Sequence, residues 1–335
     1  MNYRVLGHTG LRVSGLCFGT MSFGGIADEA TAGEMYRRCR EAGINFFDCA
    51  DVYSAGRAEE ILGRLVSAER DRVVLTTKVG FKTGEEVNDR GLSARHIVRS
   101  VEASLRRLDT EWIDLLFVHT FDPDTPIEET LRGLARVVRS GKVLYVGASN
   151  WAAWQLATAL GISDRSGLPR FSCVQPMYNL AKRQAEVEIL PLARAECLGV
   201  ITYSPLGGGL LTGKYGATHR PAAGRLVESA LYKARYDDGS YYELAERFAG
   251  LAREQGVAPA TLAVAWVMAH PAVTAPIIGA RNPEQLEQSL AAASFEMSGE
   301  LYRTISAFAP APPPATDRSE ERQGVAYRGS RETYR

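Results

Sequence analysis

Phe46-Phe47-Asp48-Cys49-Ala50-Asp51-Val52-Tyr53 is the stretch whose reading decides the fold. An apolar run (Ile44, Phe46, Phe47) stops at a carboxylate, and a tyrosine follows five positions later. Short apolar runs of this kind suit a strand buried on both faces. A buried strand that ends in Asp48 and breaks into a loop with Tyr53 delivers an acid and a phenol to the rim of a sheet. Barrel and open α/β enzymes keep their chemistry there. The same residues also fit a plain strand end, with Asp48 or Asp51 capping the next helix and Tyr53 as a rim aromatic. What separates the two readings is whether other strand ends carry partners for one site.

Seven further runs share this character. Strands are expected over 16–20, 45–48, 73–78, 112–119, 143–148, 173–175, 200–204 and 275–279. Amphipathic helices alternate with them, over 31–42, 58–66, 93–107, 126–139, 189–197, 241–254, 260–270 and 283–293, with another before residue 173. Gly43 and Gly141 mark helix ends, Ser93 reads as an N-cap, and Pro126 stands at a first turn. Eight such pairs argue for a single (β/α)8 TIM barrel, an α/β fold with its active site on the C-terminal face. No G-x-G-x-x-G follows the first strand, which argues against a Rossmann half. Residues 3–6 and 11–13 flank Gly7 and Thr9-Gly10 as a hairpin, expected at the barrel bottom. Residues 1–309 form the barrel domain in this reading. Residues 310–335 form an arm, Pro-rich and then charged.

The chain has 335 residues and is 45% hydrophobic, enough for a large core. Lys+Arg and Asp+Glu both count 39, so no net charge favours nucleic acid or an anionic membrane. The apolar runs are strand-length, far short of the about 20 residues of a membrane span. Met1-Asn2-Tyr3-Arg4 starts no apolar signal region, and a cytoplasmic protein is expected. Cys17, Cys39, Cys49, Cys173 and Cys197 are scattered without a C-x-x-C. They read as reduced, mostly buried thiols, not as a disulfide framework or a metal site.

The polar strand ends are the informative set. They are Asp48 with Tyr53, Lys78, His119, Ser149-Asn150, Gln175 and Tyr203-Ser204. A free tyrosine has a pKa of about 10, high for acid–base work at neutral pH. A neighbouring ammonium favours the phenolate and lowers that value, and a carboxylate beside the lysine keeps it charged and placed. Histidine can donate to a carbonyl oxygen. Such a site holds an acid and a polarising group but no nucleophile with its own base, so the other reactant must come from a cofactor.

These residues and their neighbours carry a resemblance. The specific pieces are Phe47-Asp48-x-Ala50-x-x-Tyr53, Thr77-Lys78, Val118-His119 with Asp122-Pro123-x-Thr125-Pro126, Gly147-Ala148-Ser149-Asn150, the run from Tyr203 to Lys214, and Ile278 to Gln285. From Tyr3 to the last helix the chain resembles the aldo-keto reductases, NAD(P)H-dependent (β/α)8 oxidoreductases. The resemblance implies a tetrad of Asp48, Tyr53, Lys78 and His119. Tyr53 is then the general acid, Lys78 the modulator of its pKa held by Asp48, and His119 the orienter of the substrate carbonyl.

The same resemblance implies NADP(H). Ser149, Asn150 and Gln175 would bond the nicotinamide amide, and Tyr203 would stack on its ring. Ser204, Pro205, Leu206, Gly207, Gly208 and Lys214 would follow the pyrophosphate, with Arg225 closing over it. Arg281 and Gln285 would reach the adenosine end. Gly19, Thr20, Met21 and Gly279 complete the cofactor set. Many members carry a Glu-Asn pair where this chain has Gln288 and Ser289, which leaves the adenine contacts open. Met21, Phe23, Phe121 and Trp151 are candidates for the substrate pocket. Trp112, Trp154 and Trp266 are more at home in packing.

The implied function is NADPH-dependent reduction of an aldehyde or ketone, a small-molecule carbonyl. A biosynthetic ketoreductase acting on a large substrate such as a keto-sugar stays open. So does a redox-sensing NADP(H)-binding protein like the potassium-channel β subunits. Self-association stays open as well. The segment from Lys214 to Tyr241 reads as a long insertion without strong periodicity, and loops of that length are usually functional.

Overall fold

The computed structural model describes residues 1–318. Strands β1 (Tyr3–Val5) and β2 (Arg12–Ser14) pair antiparallel as a hairpin. Eight parallel strands then close a barrel: β3 (Cys17–Gly19), β4 (Phe46–Asp48), β5 (Val74–Val79), β6 (Ile113–Val118), β7 (Val143–Ser149), β8 (Phe171–Gln175), β9 (Gly199–Thr202) and β10 (Ala275–Ile278). β10 pairs with both β9 and β3, which removes the sheet edges. The hairpin covers the N-terminal ends of the strands. Leu6 lies against Gly199 at the start of β9, and Gly7 sits beside the Ser172 and Cys197 carbonyls.

Helices form the outer layer: α1 (Glu29–Glu41), α2 (Arg57–Val66), α3 (Ala94–Leu108), α4 (Ile127–Arg139), α5 (Ala153–Ser166) and α6 (Ile189–Ala195). After β9 come α7 (Arg225–Glu228), α8 (Ala230–Arg235), α9 (Gly239–Glu254) and α10 (Pro259–Met268), and after β10 come α11 (Pro283–Leu290) and α12 (Gly299–Ser306). Ser93 caps α3 by accepting from the His96 N–H, so a donor that the first turn leaves unpaired finds a partner. Pro126 is the N-cap of α4, one step before the expected first-turn position.

Side chains alternate across each strand with period two. Cys17, Phe46, Val74, Leu115, Phe117, Cys173, Ile201 and Ile277 share the small core inside the barrel. Phe18, Phe47, Leu75, Leu116, Val118, Val174 and Val200 share the larger core between strands and helices. Gly147 has a specific purpose in this packing. A Cβ there would stand 2.5 Å from the Phe117 ring, so the barrel interior takes Phe117 only if residue 147 has no side chain.

The segment after Lys214 differs from expectation. It carries the short helices α7 and α8 and its own core of Leu210, Tyr215, Leu226, Tyr236 and Ala245. Its anchors are few and unevenly spaced, so no 3.6-residue pattern announces them. Helix α12 also escapes the sequence pattern. Arg183 Nη1 donates to the Ser306 carbonyl at 2.8 Å and Trp266 Nε1 to Ser306 Oγ at 3.0 Å, so residues far away in the chain hold it. All five cysteines are free, and four of them are buried. The Pro-rich stretch from 310 continues without helix or strand to residue 318; the rest of the expected charged arm, 319–335, lies outside the described residues.

Candidate active site

The period-two rule that points Cys17, Phe46, Val74, Phe117, Cys173, Ile201 and Ile277 inward also points the next alternate residue inward. Those residues are Gly19, Asp48, Thr76 with Lys78, His119, Gln175, Tyr203 and Gly279. Register places them at one level: Gly19 pairs with Asp48, Asp48 with Thr76, Lys78 with Phe117 and Ser149 with Gln175. The barrel mouth therefore gathers polar groups that are far apart in sequence.

Lys78 is the centre of the cluster. Its side chain is fully buried, and its ammonium donates to Asp48 Oδ2 at 2.6 Å, to the Cys49 carbonyl at 2.6 Å and to the Tyr53 hydroxyl at 3.3 Å. Asp48 also accepts from Thr76 Oγ1 at 2.8 Å and from Gln175 Nε2 at 2.9 Å. A buried ion pair is tolerated when its remaining hydrogen-bonding capacity is met, as it is here. Burial works against the Lys78 charge. Asp48 and Tyr53 outweigh it and hold the ammonium above the ordinary lysine value.

Tyr53 departs from the simple expectation. Burial pushes its phenol up to about 12, and Lys78 pulls it back only in part. The ammonium lowers the phenol relative to what burial alone would give, but the net direction is upward because desolvation of the phenolate is the larger effect. His119 is pushed down to about 2, by burial first and then by the Lys78 charge, so its imidazole is neutral at any working pH. Its ring lies 6.0 Å from that of Tyr53, and its Nδ1 is buried without a partner among the described residues.

Asn150 ties the mouth together. Its Nδ2 donates to the His119 carbonyl at 2.9 Å and to Ser149 Oγ at 3.2 Å, and its Oδ1 accepts from the Tyr203 hydroxyl at 2.8 Å. Its φ of 58° is left-handed, a conformation that asparagine adopts more readily than most residues. Ser149 Oγ donates to the Gln175 carbonyl at 2.9 Å. The amide groups expected to meet a cofactor thus also bind one another and the tetrad.

In the loop that follows β9, Gly207, Gly208 and Gly209 all have positive φ. A Cβ on Gly208 would lie 2.5 Å from the Tyr232 ring. A Cβ on Gly209 would fall 3.5 Å from the Lys214 ammonium, so bare backbone lines the approach to that charge. Burial and the charges of Arg281 and Arg225 push the Lys214 pKa down, with Glu228 opposing them. Three cations converge here, and that arrangement suits a polyanion such as a dinucleotide pyrophosphate. Arg281 Nη2 lies 3.8 Å from Glu228 Oε2, and its backbone N–H donates to Gln285 Oε1 at 3.3 Å. Ser204, Pro205 and Leu206 lead into this loop from β9. Ser289 is buried with its Oγ unpartnered among the described residues, and the Gln288 carbonyl accepts from Thr261 Oγ1.

The expected pocket residues separate. Met21 is exposed, and Phe121 is partly buried, with its ring 5.2 Å from Trp151 and 6.1 Å from Trp154. Phe23 is fully buried against Phe18, and Trp151 is buried between Phe121 and Phe171, so both pack more than they line. Thr20 is buried and donates to the Asp48 carbonyl. Two neighbours went unread in the sequence. Thr76 shares the inward parity of Lys78 and could have been found from it. Phe81, 4.4 Å from the His119 ring and substantially exposed, sits in a loop that no periodicity marks.

A closed parallel barrel with a buried acid–lysine–tyrosine–histidine cluster at its C-terminal mouth defines a class of oxidoreductase. A family model described as "Aldo/keto reductase family" matches residues 15–310, and the chain belongs to that family. It is 40% identical over 93% of its length to an "Uncharacterized oxidoreductase", YrpG, of Bacillus subtilis, covering 97% of that protein. It is also 40% identical, over 87% of its length, to proteins of Arabidopsis thaliana and Oryza sativa called "Probable voltage-gated potassium channel subunit beta", covering 91% of each. The protein is an oxidoreductase of a family that reduces carbonyl compounds with a nicotinamide cofactor. No helix among the described residues is long and apolar enough to cross a membrane.

Proposed function

We propose that this protein reduces an aldehyde or ketone to the alcohol with NADPH, and that Tyr53 is the general acid. The observation that carries the reading is the buried Lys78 ammonium bridging Asp48 Oδ2 and the Tyr53 hydroxyl. Bound nicotinamide supplies the hydride. Tyr53 gives its proton to the carbonyl oxygen as negative charge builds there. Lys78 then faces the forming phenolate and stabilises it, while Asp48 keeps the ammonium in place. Neutral His119 donates a hydrogen bond that orients the carbonyl. As a neutral imidazole it is also not a rival proton donor to Tyr53.

Ser149, Asn150 and Gln175 are suited to hold the carboxamide, with the Tyr203 ring, whose hydroxyl bonds to Asn150, stacking beside it. Lys214 and Arg225 are suited to the pyrophosphate. Arg281 is suited to a 2′-phosphate, since a guanidinium can bond two oxygens at once. That is the basis for NADPH over NADH.

NADPH oxidation with a panel of aldehydes and ketones tests the reading. Tyr53→Phe is expected to bind NADPH as the wild type does and to lose turnover by about 10²–10⁴. A Tyr53→Phe enzyme that turns over near the wild-type rate would overturn the assignment. The channel-subunit relatives motivate one second reading, an NADP(H)-binding regulatory subunit. Cofactor binding without turnover on any carbonyl would favour it.

A further inference from the structure

The proposed mechanism leaves one buried acid unused. Asp51 lies two residues before Tyr53, on the loop that leaves β4, and is 4% exposed. Neither of its carboxyl oxygens makes a well-formed hydrogen bond among the described residues, although the Val52 amide lies beside them. A neighbouring acid takes the local donors instead. Glu59 on α2 is fully buried and accepts from Thr77 Oγ1 at 2.5 Å and from Arg107 Nε of α3 at 2.7 Å. Two carboxyl groups thus share a buried site with the Arg107 guanidinium, and Glu59 holds it. Leaving the second carboxyl ionised would strand a buried charge with no cation of its own among the described residues, which is costly for a buried polar group.

We propose that Asp51 is held as the neutral acid in the working protein and is a positioning residue for Tyr53, so that its ionisation displaces the Tyr53 loop. This rests on the reading of Tyr53 as general acid. The groups that face Asp51 are Glu59 from α2, Arg107 from α3 and Lys78 from β5. Burial, and then the Glu59 charge, push Asp51 up to about 8, while Arg107, the Val52 amide and Lys78 pull it down by less.

The coupling to Tyr53 is local. The Asp51 N–H donates to the Lys78 carbonyl at 3.3 Å and the Tyr53 N–H to the Ala50 carbonyl at 3.1 Å, so Asp51 is the first central residue of the turn that aims the phenol. The turn continues through Ser54 and Ala55, both left-handed at φ 48° and 54°. A non-glycine pair in that region is strained and depends on its surroundings. Those surroundings include Arg107: a Cβ on Gly56 would lie 2.8 Å from Arg107 Cδ, so the loop rests on that side chain. An ionised Asp51 competes with Glu59 for Arg107 and removes the support beneath Tyr53. It also adds a negative charge near Lys78, which disfavours the phenolate that Tyr53 must become.

The test is the pH dependence of kcat and of NADPH affinity for the wild type, Asp51→Asn, Asp51→Ala and Glu59→Gln. In the wild type kcat is expected to fall as pH rises through about 8, with NADPH affinity unchanged. Tyr53 itself titrates far higher, at about 12, so it does not account for that limb. Asp51→Asn keeps the shape of the neutral acid. It should retain turnover well below the midpoint and lose the alkaline limb. Asp51→Ala removes that shape and should lose turnover at every pH. Glu59→Gln removes the like charge and frees Arg107, so the limb should move to lower pH.

A limb that persists unchanged in Asp51→Asn overturns the proposal, as does a folded Asp51→Asn inactive at all pH. An infrared pH titration of the wild type covers the case in which variants fold poorly. It is expected to show a protonated-carboxyl stretch that disappears with a midpoint near 8. Absence of that band at neutral pH also overturns the proposal. The infrared reading needs no turnover, so it stands apart from failure of the carbonyl-reductase reading, which would appear as a wild type that reduces nothing.

Discussion

Replacing Lys78 by methionine separates what the tetrad does for stability from what it does for turnover. Methionine keeps most of the apolar stem and removes the ammonium. The pair it breaks is 2.6 Å long, with side chains 0% and 4% exposed. Removing one partner of such a pair leaves an uncompensated buried charge and costs about 3–5 kcal/mol. The Asp48→Asn/Lys78→Met double variant leaves no charge behind. The introduced amide oxygen can still accept from Thr76 and Gln175, which contact the same Asp48 oxygen in the wild type. The double variant is therefore expected to regain about 2–4 kcal/mol of the loss suffered by Lys78→Met alone.

Turnover follows a different course. Without the ammonium nothing offsets the burial that already holds Tyr53 at about 12. Both variants should lose about 10²–10⁴ in kcat, because the phenol remains a poor acid in each. Urea unfolding gives the stabilities, and NADPH oxidation on the best carbonyl of a panel gives the rates. Two results would refute the reasoning: a Lys78→Met protein within about 1 kcal/mol of wild type, or a double variant that recovers turnover together with stability.

Three further outcomes are expected. Arg281→Ala should narrow the preference for NADPH over NADH by roughly 10–150-fold, the equivalent of a charge-assisted bond; equal titration of the two cofactors by the wild type would remove its basis. His119 ties stability to acid pH. Its folded-state value of about 2 lies below the ordinary 6.5, so between those values the unfolded chain binds more protons and stability falls as pH falls. At about pH 4.5 that amounts to about 2–3 kcal/mol, and His119→Asn should flatten the slope by that amount; parallel stability curves would refute it. Residues 214–235, which carry Lys214 and Arg225, should gain hydrogen-exchange protection when NADP⁺ binds, with Arg225→Ala releasing cofactor faster. Exchange indifferent to NADP⁺ would count against a closing segment.

The barrel was legible because eight apolar runs alternate with helical patterns, and burial on both faces of a parallel sheet leaves that mark in any sequence. The polar cluster at the barrel mouth was legible because Asp48, Lys78 and His119 stand at strand ends. Period two then sends Asp48, Lys78 and His119 to the same side as Phe46, Val74 and Phe117. Sequence alone also placed the cysteines as free thiols. It could not decide the sign of the Tyr53 shift, because that depends on how burial compares with the pull of a lysine 25 residues away, and both depend on distance. Nor could it show that Glu59 takes Arg107 and leaves Asp51 without a side-chain partner among the described residues, since α2, α3 and the β4 loop meet only once the barrel closes. Helices α7, α8 and α12 were unread for the same reason: contacts from Tyr215, Tyr236, Arg183 and Trp266 hold them, and a contact between distant segments leaves no period in the chain that makes it.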